Sequence, residues 1–234
     1  MAVGQPGVGE HPPEVESAGE VHEGGKVMID WNKFAKEVHA VAVDKGWWDK
    51  PVNFDDIICE CLVHLGRAYE EHRSGRPNLY YPCNAGGVCE ADKTEGAMDC
   101  ASRIISPEHP EIYCTAKSKT PHGTAAELGE CVLGLLDYLA TVGVDIDSEL
   151  GTIPAPENLT ALVCECVENL AGKNTMGVSR SAGDSEIGRI TRAIICIMLI
   201  LDWARQNNMD LESICHELHE CNKARAGRRE RAEP

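Results

Sequence analysis

From Lys119 to Asp147 the apolar residues Leu128, Cys131, Val132, Leu135, Leu136 and Leu139 recur at steps of three and four. That spacing fits an amphipathic helix and does not fit a strand. Elsewhere the apolar residues also fall mostly at helical spacing, and no run alternates long enough to predict a strand. An aromatic content of only 5% argues in the same direction, against a β-sandwich. With 234 residues, 43% of them hydrophobic, the chain is long enough to bury a sizeable core as one large domain or two small ones. The expected class is all-α.

The same stretch carries two carboxylates, Glu127 and Glu130, three residues apart and therefore on one helix face. Two acids held rigidly side by side repel each other unless a cation sits between them. Hard divalent ions such as magnesium take oxygen ligands of this kind. A solvated helix surface is the alternative reading of such a pair.

Further motifs stand around this helix in a fixed order. They are KGWW at Lys45 to Trp48, FDDII starting at Phe54, AYEEHRSGRP at Ala68 to Pro77, HGTAAELGECVLGLLDY at His122 to Tyr138, and ECNKAR at Glu220 to Arg225. Together they cover about half the chain, and in this order they resemble the MazG-like, all-α nucleoside triphosphate pyrophosphatases. The resemblance implies metal-dependent hydrolysis of a nucleoside triphosphate to the monophosphate and pyrophosphate. It implies magnesium or manganese held by Glu127 and Glu130 with Glu71 or His64. It also implies phosphate contacts from Asn222, Lys223 and Arg225, with Lys45 and Trp47 near the nucleotide. Lys45 is equally explained by its position at a helix C-terminus, and Trp47 with Trp48 as closing a core.

The chain departs from the family pattern on the first metal helix. Where the family has Glu-x-x-Glu, His64 and Arg67 stand here. Arginine has no lone pair to give, and imidazole prefers softer ions than magnesium. Three outcomes are open: a site shifted onto Glu60 and Glu71, a salt bridge from Arg67 filling the metal position, or a silent relative that binds nucleotides or a partner protein.

A net charge of −16 speaks against binding a nucleic-acid polymer and leaves room for a single nucleotide at a local basic patch. The first 26 residues lack an apolar h-region and are expected to be a disordered acidic tail, not a signal peptide. The longest apolar run, Ala193 to Leu201, is too short to span a bilayer. A cytoplasmic protein, associating with itself through apolar helices, is the expectation.

Of twelve cysteines, Cys59, Cys61, Cys131, Cys164, Cys166 and Cys196 lie in helical segments and are expected to behave as small apolar residues. Cys215 and His219 form an i, i+4 pair with too few converging ligands for a metal. Cys83, Cys89, Cys100 and Cys114 lie in a loop from Arg76 to Pro121, where a zinc staple competes with free thiols and disulfides.

A faint internal repeat divides the chain. Phe54, Ile57, Ile58, Cys61, Leu62 and Leu65 match Leu159, Leu162, Val163, Cys166, Val167 and Leu170 in spacing. Likewise Leu135 to Asp147 echoes Ile200 to Glu212, which sets Arg192 and Ile195 against Glu127 and Glu130. Glu165 and Glu168 on the preceding segment open the option of a composite site across the bundle. The expected organisation is a tail (1–26), a first helical half with the Cys-rich loop at 76–121 (27–150), a second half (151–225) and a basic tail (226–234).

Overall fold

A polar side chain writes the start of nearly every helix. In the computed structural model, which describes residues 29–82, 88–90, 120–172 and 185–225, the elements run in this order: α1 (Trp31–Asp44), α2 (Phe54–Arg73), β1 (Tyr80–Pro82), β2 (Val88–Glu90), α3 (Thr124–Val142), α4 (Ile146–Glu149), α5 (Leu159–Leu170), α6 (Glu186–Gln206) and α7 (Leu211–Ala224). Asp30, Asn53, Asp145, Asn158, Ser185 and Asp210 each accept the N–H three residues on, which satisfies a donor the helix itself leaves open. Asn53 and Asp56 complete a reciprocal capping box at the start of α2. α1 gains a second cap from far away, because the Asp147 carboxylate accepts the Trp31 and Asn32 N–H groups, each at 3.0 Å.

The architecture is all-α, as expected, with α3 at its centre. Leu128, Cys131, Val132, Leu135, Leu136 and Leu139 are fully buried, so the stripe read from the sequence is the core-facing stripe. α3 packs against α2, α1, α7 and α6, while α5 lies between α2 and α6. One hydrophobic cluster joins both halves of the chain. Among the described residues no helix is long and apolar enough to cross a membrane.

Two corrections follow. The loop after α2 holds a short antiparallel hairpin, pairing Tyr80 with Glu90 and Pro82 with Val88, where no strand was predicted. Strands of three residues are too short for alternation to register. Cys59 and Cys164 are exposed, whereas Cys61, Cys131, Cys166 and Cys196 are buried. In each Cys-Glu-Cys, residues two apart point to nearly opposite sides of a helix, so only one thiol can be inside.

The segments that follow α3 and α6 share local features. Gly143 and Asn208 occupy equivalent left-handed positions, with φ of 68° and 56°. Asp145 and Asp210 then cap equivalent helices through Ser148 and Ser213. The zinc proposal for Cys83, Cys100 and Cys114 lies outside the described residues, as do both tails. Cys89 sits in β2 opposite Tyr81.

Candidate functional site

The polar residues of interest meet where α1, α2, α3 and α7 converge. Two backbone devices bring them there. β1 bridges to His122 through Tyr80 N–H to His122 O at 3.0 Å and His122 N–H to Tyr80 O at 2.9 Å, which sets the entry of α3. Along α3, Gly129 lets α7 approach closely, since a Cβ there would stand 2.7 Å from Leu218 Cδ1. This contact carries Asn222 and Arg225 onto the acidic face of α3.

Glu127 Oε2 accepts from His64 Nδ1 at 2.8 Å. Glu130 accepts from Asn222 Nδ2 and from Arg225 Nη1, both at 3.3 Å. Glu71 is turned elsewhere, to Arg76 at 3.0 Å and to the Tyr80 hydroxyl at 3.2 Å. Lys223 pairs with Glu220 on the exposed flank of α7. Arg67 is exposed and does not take up Glu127 or Glu130, whose partners among the described residues are those just named. Glu165 is half-buried and Glu168 exposed, and neither lines the cavity described next.

That cavity measures about 300 Å³. Val38, Ile57, Leu133 and Gly134 supply its apolar walls. Its polar rim comprises Lys45, Glu60, His64, Glu130, Asn222 and Arg225, with Trp47 at the edge. A second recess of about 410 Å³ shares Trp47, Ile57, Glu60 and Asp137 with it.

At one end stands a cluster missed from the sequence. Asp137, 9% exposed, accepts from His39 Nδ1 at 2.7 Å and from Trp48 Nε1 at 3.1 and 3.2 Å. Burial pushes its pKa up, and the His39 and Trp48 hydrogen bonds draw it back only in part. The spacing Glu130-x3-Gly134-x2-Asp137 is the signal that would have found it, because these three share one helix face. His219, weighed from the sequence only as a metal partner of Cys215, is 2% exposed and edge-on to Phe34 at 5.4 Å. Its Nε2 is buried without a hydrogen-bond partner among the described residues. Burial, then the nearby Lys223 charge, lowers its pKa and keeps the ring neutral.

No family model, curated protein or solved structure matches this chain. The site must therefore be read from its own chemistry. A magnesium ion does not fit the donor set. The Glu127 and Glu130 carboxylates are already compensated by His64 and by Arg225 with Asn222, and Glu71 is tied to Arg76. Among the described residues no three His, Cys, Asp or Glu side chains gather as a metal would need.

His64 shows how this compensation works. Burial opposes its protonation, but the Glu127 hydrogen bond and charge, with Glu130 behind, outweigh burial and raise its pKa. A group whose pKa is raised on folding adds stability that is complete below its unfolded value, about 6.5, and is lost as pH rises through the folded value. The stability gap between wild type and Glu127→Gln is expected to be widest below about pH 6.5 and to narrow as pH rises above it. Urea unfolding at a series of pH values either side of that point checks this, and a gap that widens with pH contradicts it.

Proposed function

We propose that the chain is a nucleotide-binding relative of the MazG-like pyrophosphatases, in which side-chain cations stand where the catalytic metal would be. The observation that carries this is the meeting of Asn222 and Arg225 with Glu130, residues more than ninety positions apart. They meet on the rim of a cavity that Lys45 and Trp47 also line. These are four of the residues that the MazG-like resemblance assigns to the nucleotide. The compensated acids favour binding over hydrolysis, because a carboxylate held by an arginine or a protonated histidine has little charge left for a dication.

The test is calorimetric titration of wild-type protein with a panel of nucleobases, nucleosides, and their mono- and triphosphates. Trp47→Ala and Asn222→Ala are each expected to weaken the best ligand by about tenfold, the loss of one good contact. A panel in which nothing binds removes the proposal. Release of pyrophosphate in the presence of magnesium would replace it with the hydrolytic reading.

A further inference from the structure

The cavity is poorly suited to a polyanion. His64 is engaged by Glu127, and Arg225 by Glu130. Lys45 is the remaining lysine or arginine among the lining residues, and Glu60 and Asp137 line the same space. The chain around it carries a net charge of −16. A triphosphate brings about four negative charges, and each buried charge needs its own compensation. Without a metal that compensation is missing.

What the cavity does offer suits an uncharged ring. Gly134 lies within α3, where glycine is unfavourable for helix formation. A Cβ there would meet nothing nearer than Cys61 Sγ at 4.0 Å. The glycine therefore presents flat backbone to open space, a surface against which a planar ring can lie. Val38 and Ile57 supply apolar contact on other walls. His219, another lining residue, has the buried unpartnered Nε2. Its imidazole is a polar ring beside the cavity, and a neutral imidazole carries one donor and one acceptor nitrogen according to tautomer.

We infer that the cavity takes the uncharged part of a nucleotide, a nucleoside or free nucleobase, and takes it without a divalent cation. The ring lies on Gly134, beside the His219 imidazole. This rests on the nucleotide-binding reading above and narrows its ligand class.

The experiment compares adenosine, guanosine, cytidine and uridine with their triphosphates by calorimetry, in EDTA and in magnesium. The best nucleoside is expected to bind at least about tenfold tighter than its triphosphate in EDTA, with less than about a twofold change on adding magnesium. Gly134→Leu fills the cavity, and His219→Leu removes the polar ring. Each is expected to weaken the nucleoside by about tenfold or more, with His219→Gln recovering part of the loss. Gly66→Ala, on the exposed face of α2 where an added Cβ meets nothing within 4 Å, is the fold control and is expected to bind within about threefold of wild type. Leucine and alanine are both better helix formers than glycine, so unchanged circular dichroism separates blocking from unfolding.

Tighter triphosphate binding that needs magnesium overturns this inference and leaves the nucleotide reading standing. Undiminished nucleoside binding by Gly134→Leu overturns the assigned seat. If no member of the panel binds, the broader reading falls with it.

Discussion

Gly123→Ala is expected to lower stability by about 3 kcal/mol or more, a loss of roughly 6–12 °C in melting temperature for a chain of this size. Gly123 has φ of 100°, a region that side chains other than glycine's rarely adopt. A Cβ there would stand 2.6 Å from Asn78 O and 2.9 Å from Pro77 O. Both obstacles are backbone, and Asn78 O is already held by the Ala125 N–H at 2.8 Å. Neither can give way without pulling β1 off the start of α3. The damage should reach the site, since Glu127 lies one turn into α3 and donates its own N–H to Gly123 O. Thermal unfolding followed by circular dichroism measures the effect. A variant melting within about 2 °C of wild type would show that the entry to α3 is looser than the geometry implies.

Asp137→Ala carries the second large effect, about 2 kcal/mol. It leaves the Trp48 indole N–H and His39 Nδ1 without the oxygen they share. Asp137→Asn keeps an acceptor and should behave differently. The folded carboxyl of Asp137 ionises at higher pH than the unfolded one, because burial penalises its charge. Such a group adds stability below its unfolded pKa, about 3.9, and loses it as pH rises through the folded value. Wild type is therefore expected to lose ground to Asp137→Asn as pH rises from about 4 toward neutrality. Denaturant titrations of both proteins check the slope. A wild type that gains on the variant over that range would mean that His39 and Trp48 more than offset the burial.

The sequence pattern anticipated the scaffold better than the chemistry. The stripe from Leu128 to Leu139 was readable because a core-facing helix repeats its constraint every turn. The Glu127 and Glu130 face, and the tail residues Asn222 and Arg225, were visible through motif order. Their meeting was not, since it depends on the Gly129–Leu218 approach between helices far apart in the chain. Asp137 and His39 are ninety-eight residues apart, and nothing local marks either as the other's partner. The orphaned nitrogen of His219 is a property of burial and surroundings alone. Lys223 is the opposite case. It sits inside a recognisable motif, but one residue past Asn222 a helix has turned about 100°, and the side chain faces Glu220.

The repeat that pairs Gly143 with Asn208 and Asp145 with Asp210 has a genetic consequence. In a symmetric dimer every substitution arrives twice, so a change useful at one copy must be tolerable at the other. Two segments that share these turns on one polypeptide are released from that rule. Where one half keeps Glu127 facing His64, the other has Arg192 reaching the Leu170 carbonyl at the end of α5 and lying over the Phe54 ring. The first segment supplies most of the cavity's lining and the second adds His219, Asn222 and Arg225, a division of labour closed to identical subunits.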